Sequence, residues 1–401
     1  MLSVEIVVAG GGVSGLLIAS ALASESSVLL LEQCDSVPRN KYWLTDEKAF
    51  DKNPQFQTCV DNWYDYLDFV AYDGLTTRVT GRYCLWDTEK LIGQLVGELS
   101  RCGAQVLTGH RLYSLSQTRD GILVRANTQA IRTRLLIDCM GFGSPLVGAK
   151  GIATITGYYV LHGCEVGVKG VVAPIALDNV VIDQHPTFFE LFPTSKGTAH
   201  AAIILPSRQY KPDRSIKAEL SFILHKSHYS EHIVCEPSAK HKSYFGIVPV
   251  GRLHEPALDR IVFFGEAGQT NPAASATGLT RMLHTYEDLA ESLRQCLRKD
   301  TLRRKDLLRA IPQYMSPINR LFQERLFESL LSFDSDDFRF LVRELREYPH
   351  DMINDLIFAE FDFRGARTLR LLLEAILQRR SILARHVMKG LARFFSRGLS
   401  I

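Results

Sequence analysis

The first 32 residues change pattern twice. Residues 4–8 of "VEIVVAGGGVSGLLIASALA" form a short apolar run broken only by Glu5, suited to a buried parallel strand. Small residues replace bulk at Gly10, Gly12 and Gly15, and residues 16–23 resume an apolar pattern long enough for a buried helix. A second apolar run, "SSVLLLE", then ends on one acid, Glu32. Strand, turn, helix and strand are predicted in that order. Further on, "DTEKLIGQLVGELSRCG" reads as an amphipathic helix, and "AQVLTG", "GILVRA" and "RLLIDCMGFGS" as strands and a turn. Much later "RIVFFGEAG" predicts a strand, followed by a small-residue loop and a helix from Gly278 through "GLTRMLHTYEDLAESLRQCL".

The glycines give the first of these units its chemistry. Gly10 suits a tight turn, Gly12 lets a pyrophosphate approach the backbone, and Gly15 lets helix and strand pack closely. Val13 and Ser14 then stand at a helix N-terminus whose free N–H groups and partial positive charge favour phosphate. Glu32, 17 residues after Gly15, can accept hydrogen bonds from ribose hydroxyls. A dinucleotide site follows from the whole series.

The late strand–loop–helix specifies which dinucleotide. A second such unit far down the chain is what FAD proteins of the glutathione-reductase type use for the other half of the cofactor. Gly265 and Glu266 end its strand, with the acid placed for the ribityl chain. Pro272 sits in its loop, and Gly278 and Leu279 open a helix aimed at the flavin. The expected fold is α/β: a Rossmann-like FAD-binding domain, an antiparallel-sheet substrate domain and a helical C-terminal part. The expected division is 1–40, 80–150 and 255–297 for FAD, 41–79 with 151–254 for substrate, and 298–401 for the helices.

Composition narrows the class without naming a partner. In 401 residues the apolar fraction is 46%, the charged fraction 23% and the net charge +3, values of an ordinary globular protein whose bulk charge names no partner, and no nucleic-acid-binding motif accompanies the basic residues. No run is long and apolar enough to predict a spanning helix. The N-terminus enters a strand at once, and the eight cysteines lack any C-x-x-C pair, so a reduced, cytoplasmic protein without a signal peptide is expected. Charge is concentrated at one end: from residue 364 onward there are nine basic residues and one acid, Glu374. Arg385, Lys389, Arg393 and Arg397 recur every fourth residue, while Leu383, Val387, Leu391, Phe394 and Phe395 gather on another stripe. A basic amphipathic helix of this kind suits either an anionic membrane surface, giving peripheral attachment to the inner face of a membrane, or packing against the domain.

Across the chain, these segments resemble the lycopene cyclase family of FAD-dependent proteins. "TGYYVLHGCEV" is similar to a family strand, "PTFFELFPTSKGTAHAAIILPS" to a family hairpin, "GEAGQTNPAASATG" to the family's flavin loop, and "INRLFQERLFESLLSFDSDDFRFLVREL" to its C-terminal helices. The resemblance implies FAD and a long hydrophobic, polyene or isoprenoid-like substrate, cyclised or isomerised through reduced flavin in carotenoid or isoprenoid metabolism. Two departures stand out. The family's acids lie on the second hairpin strand, which here reads "AHAAIILPS" with no acid, and Thr88 replaces a family arginine.

Carboxylates nearby are Glu165, Asp183 and Glu190. Glu190, among Phe188, Phe189, Leu191 and Phe192, is the leading catalytic candidate, since burial raises a carboxyl's pKa, and Asp183 is the second. The alternating strand allows Glu190 to face solvent instead. Two other readings stay open: a flavin monooxygenase tailoring a hydrophobic metabolite, and a non-catalytic membrane-associated flavoprotein. His225, His228 and His232 share helical spacing without a carboxylate partner, so no metal site is expected. The aromatic stretch 42–72 is expected to be a small helical insertion that packs as core or covers a substrate.

Overall fold

A computed structural model describes residues 1–358, apart from 40, 119, 128, 183–184, 235–242 and 313. Asp183 and the basic stripe at 385–397 lie outside the described residues.

Two sheets carry the architecture. In the first, Leu2–Ala9 lies between Val28–Leu31 and Gln129–Asp138, parallel to both. Gln105–Leu107 and Ile261–Phe263 extend it on either side, also in parallel. Ile6, Val8 and Leu30 are fully buried under helices, and Val7 and Leu29 on the other face under Leu112, Ile122 and Val124 of a strand pair. The helix Val13–Ala23 packs against Thr88–Arg101 and Gly278–Arg298. Its approach depends on Gly15, where a Cβ would fall 1.8 Å from the Gly10 carbonyl oxygen. Gly10 itself holds φ at +107°, a conformation that glycine alone adopts without strain.

The second sheet is mostly antiparallel. Its order runs Ile233–Val234, Ala153–Val168, Thr198–Ser207, His185–Pro193, Ile175–Ile182, Val60–Val70, Thr76–Trp86 and Leu44–Asp46, and Ser243–Leu253 also pairs with Ala153–Val168. Alternation divides its central hairpin cleanly. Phe189, Leu191, Ala201, Ile203 and Leu205 face a core shared with the helix Ile216–Lys226, through Ile216, Leu220, Ile223 and Leu224. Ser215 caps that helix by accepting from the Ala218 N–H, an arrangement that contributes about 1 kcal/mol. The opposite face is left for Phe188, Glu190, Phe192, His200, Ala202 and Ile204.

The stretch 42–72 differs from its expected helical form. Apart from short 3-10 turns it is strand: Val60–Val70 pairs antiparallel with Thr76–Trp86. The aromatic side chains of "VDNWYDYLDFV" recur too closely for one helical stripe, and β-propensity prevails. Because Thr76–Trp86 belongs to the second sheet, the chain returns toward the first after residue 86 rather than at 80.

Three helices cover the remaining face: Pro317–Leu330, Ser335–Glu344 and His350–Phe358. Ser316 caps the first, and Asp334 with Asp337 forms a reciprocal capping box on the second. The second and third are pinned to Thr76–Trp86 by the Thr77 hydroxyl, which donates to the Val342 carbonyl at 2.5 Å, and by the Thr80 N–H, which donates to His350 Nδ1 at 3.0 Å. Among the described residues, no helix is long and apolar enough to cross a membrane.

Candidate active site

One cavity of about 820 Å³ runs from the glycine turn of the first sheet to the open face of the second. Gly10, Gly12, Val13, Ser14, Glu32, Glu266, Gly278 and Leu279 line one part. Tyr42, Leu161, Phe188, Glu190, Phe192 and Tyr244 line the other, roofed by Phe322, Leu326, Phe338, Leu345 and Ile353 from the helices. The structure thus brings Glu190 and the cofactor candidates of both segments into one space. Gly15, Gly265 and Pro272 stand behind the wall and shape it. Gly15 admits the Gly10 backbone, Gly265 (φ +67°) admits Ser14, and the Pro272 carbonyl closes a turn by accepting from the Ala276 N–H.

The glycine end has the donors and space that a dinucleotide requires. At Gly12 a Cβ would meet nothing within 4 Å, so that backbone opens onto the cavity. Glu32 is buried and held by two backbone donors: Gly11 N–H to Oε2 at 2.7 Å and Cys34 N–H to Oε1 at 2.8 Å. The carboxylate therefore builds the turn as well as facing the cavity. Glu266 lies beside Gly141, whose absent side chain leaves it room. The residues 271–277 are tied down from the far side, with Tyr159 OH donating to the Ala274 carbonyl at 2.5 Å and Thr277 OH to the Ile357 carbonyl at 2.7 Å.

Asp138, which the sequence reading did not single out, ends its strand beneath this site. It accepts from the Met140 N–H at 3.0 Å and the Ser144 hydroxyl at 2.5 Å, fixing the loop that carries Gly141 and Phe142 along the cavity wall. Burial pushes its carboxyl up to about 6 against the pull of those donors. The signal was the acid closing an apolar strand just before "CMGFGS".

The other end is an apolar chamber with a carboxyl in its wall. Glu190 pairs across the hairpin with Ala202, so the two share the cavity face. Its Oε2 accepts from the Tyr42 hydroxyl at 2.7 Å. It keeps partial accessibility because it borders the cavity, yet lies deep below protein atoms, and desolvation pushes its carboxyl up to about 8, with the Tyr42 bond acting in the opposite direction. Tyr42 is wedged among rings, stacked on His200 at 5.0 Å and edge-on to Tyr244 at 5.1 Å. Burial raises both tyrosine pKa values and lowers that of His200, so these three groups are neutral near pH 7.

The remaining candidates lie elsewhere. Glu165 accepts from the Thr198 hydroxyl at 2.7 Å. His225 bonds Ser221 in its own helix through Nδ1, and His228 packs on Tyr229. Among the described residues, no group of three or more His, Cys, Asp and Glu is arranged to hold a metal.

A parallel nucleotide-type sheet joined through one cavity to an antiparallel sheet under a helical roof defines the class. The fold is that of the FAD-binding flavoenzymes. Similar solved structures include a geranylgeranyl bacteriochlorophyll reductase-like protein from Thermoplasma acidophilum, at 14% identity and TM-score 0.72, covering 97% of this chain and 100% of that one. A p-nitrophenol 4-monooxygenase from Pseudomonas putida aligns at 17% identity and TM-score 0.61, over 90% and 97%. A mutant of the halogenase PltM in complex with FAD aligns at 13% identity and TM-score 0.65, over 97% and 96%. No curated protein sequence matches significantly. The particular family follows from the sequence model described as lycopene cyclase protein, which matches residues 5–362: the chain belongs to the lycopene cyclase family, a family of enzymes.

Proposed function

We propose that this chain is an FAD-dependent enzyme that cyclises or isomerises a long apolar, polyene or isoprenoid-like substrate without net redox, with Glu190 as its proton donor. The observation that carries this reading is a carboxyl on the wall of an apolar cavity, held by one phenol and pushed up to about 8. An acid protonated at neutral pH, and still within reach of giving up its proton, is what general acid catalysis on an alkene needs. FAD, when bound in reduced form, supplies negative charge that favours a cationic substrate. Gly12, Ser14, Glu32, Glu266 and the N-terminus of Gly278–Arg298 are the residues that would hold it.

The protein's own steps balance. Glu190 transfers its proton to a terminal alkene carbon, leaving a carbocation on the substrate and a carboxylate on the enzyme. An internal double bond closes on the cation, or none does, and a neighbouring C–H proton returns to the carboxylate. No electron is gained or lost overall. Phe188, Phe192 and Tyr42 line the chamber beside the acid, and an aromatic ring attracts a passing cation through its face. The apolar roof keeps out the water that would otherwise quench it.

The test uses FAD-loaded protein with chemically reduced flavin and lycopene in detergent, without oxygen. Glu190→Gln is expected to lose about 10²- to 10⁴-fold in turnover while keeping its flavin spectrum. Full turnover in that variant removes Glu190 from the reaction. Oxygen uptake coupled to NAD(P)H oxidation with the same substrate replaces the non-redox reading with a monooxygenase.

A further inference from the structure

Four strands place four residues in a single row: Tyr244 opposite Gly163, Gly163 opposite Ala202, and Ala202 opposite Glu190. Directly opposed residues in antiparallel strands project from the same face. The two ends of the row are reactive, and its two middle members are nearly bare. With strands about 4.8 Å apart, the end backbones are separated by about 14 Å. Gly163 is what lets the row close, because the Tyr244 ring lies over it. A Cβ there would stand 2.3 Å from the ring's Cζ and hydroxyl oxygen. Ala202 is fully buried and adds a single methyl. A larger residue at either place would stand between Tyr244 and the carboxyl.

Tyr42 completes the closure from outside the sheet. It belongs to the loop before Leu44–Asp46, where no ladder fixes it. Its neighbour Lys41 is anchored instead, the buried Thr88 hydroxyl donating to the Lys41 carbonyl. His200, Tyr244 and Phe192 then hold the Tyr42 ring on three sides. A desolvated phenol confined in this way has its hydroxyl aimed at one acceptor, Glu190 Oε2.

We infer that Tyr42 is the positioning residue of this site, occupying Glu190 Oε2 so that the acidic proton sits on Oε1, while Tyr244, crossing Gly163 and Ala202, fixes Tyr42 in place. The inference rests on the reading of Glu190 as the proton donor. In the donor state Oε1–H faces the substrate. Once that proton has gone to carbon, the Tyr42 hydroxyl remains as the donor to the new carboxylate, where a charge-assisted bond is strongest. The titratable and charged groups around Glu190 are Tyr42 and Lys41 on the loop and His200 and Tyr244 on neighbouring strands. Glu165 lies opposite His200, Tyr64 packs behind Phe192, and Asp337 and Glu344 line the roof. Of these, Tyr42 is the one that hydrogen-bonds the carboxyl.

Infrared difference spectra of the FAD-loaded protein across pH test this without a substrate, using the protonated-carboxyl band that Glu190→Gln removes. Losing the Tyr42 bond withdraws support from the carboxylate, so Tyr42→Phe is expected to move the midpoint of that band upward by about one to two pH units. The basic limb of the kcat profile on lycopene should move with it, with kcat falling more than KM changes. Gly163→Ala, which drives Tyr244 off its seat, should shift the midpoint in the same direction by a smaller amount, and it carries the test if Tyr42→Phe does not fold. A midpoint unchanged in the folded variant, with the Glu190 band present, overturns the positioning role and leaves Glu190 as the acid. Absence of a protonated Glu190 band in the parent protein at pH 6 overturns the donor itself.

Discussion

Glu32 and Glu190 are the same residue type on the wall of the same cavity, and they stand in opposite surroundings. Glu32 ends a strand of the parallel sheet and meets two backbone N–H groups, one on each oxygen. Glu190 sits mid-strand in the antiparallel sheet, meets one phenol, and is otherwise among hydrocarbon. The donor count separates the roles. Two backbone donors fix both Glu32 oxygens in the turn. One donor leaves desolvation dominant, and the carboxyl is pushed up to about 8.

The largest expected effect breaks the comparison at the Glu32 end. Glu32→Ala leaves the Gly11 and Cys34 N–H groups without partners, each costing about 1–3 kcal/mol in a buried turn. FAD affinity should fall about 100-fold or more, measured by flavin fluorescence titration. Turnover per bound flavin should stay within about twofold of the parent, because Glu32 belongs to the holding end. Retained flavin with lost turnover would reverse the two roles. The same measurements on Glu190→Gln should give the opposite result, flavin kept and turnover lost.

The two ends also differed in how readily the sequence disclosed them. The glycine end was legible because its parts are local: Gly10, Gly12, Gly15 and Glu32 lie within 23 residues, and each backbone requirement selects a residue type. The hairpin and the late strand–loop–helix were legible for the same reason. Glu190 could be named from its aromatic neighbours, but its orientation could not. Strand alternation fixes which residues share a face, not which face the cavity takes. Tyr42 was out of reach, since its bond to Glu190 spans 148 residues and depends on how a loop packs. The row through Gly163 and Ala202 depends on the registers of four strands, which no single segment encodes. Ala202 of "AHAAIILPS" lies directly across from Glu190, so that acid-free strand shares its face with a carboxyl one strand over.

The smallest effect sharpens the comparison, and its sign is fixed by the carboxyl's environment. An unfolded Glu titrates near 4.3, whereas burial pushes Glu190 up to about 8. Between those values the native state keeps a proton that the unfolded chain has released, so stability falls as pH rises through the window and levels off above about 8. Asp138 and Asp178, both pushed up to about 6, act with the same sign at lower pH, Asp178 despite the Tyr229 hydroxyl at 2.6 Å. Their contribution is largely complete by pH 6 and is common to parent and variant. The difference between the parent and Glu190→Gln from pH 6 to 8 therefore isolates Glu190. Glutamine cannot ionise but can still accept from Tyr42, so the variant should gain on the parent as pH rises. The thermal midpoint of the variant minus that of the parent should rise by about 2 °C or more across that range, read by calorimetry on FAD-loaded protein. A constant difference across the range would mean that Glu190 is already ionised at pH 6, and the single phenol would then be holding a carboxylate.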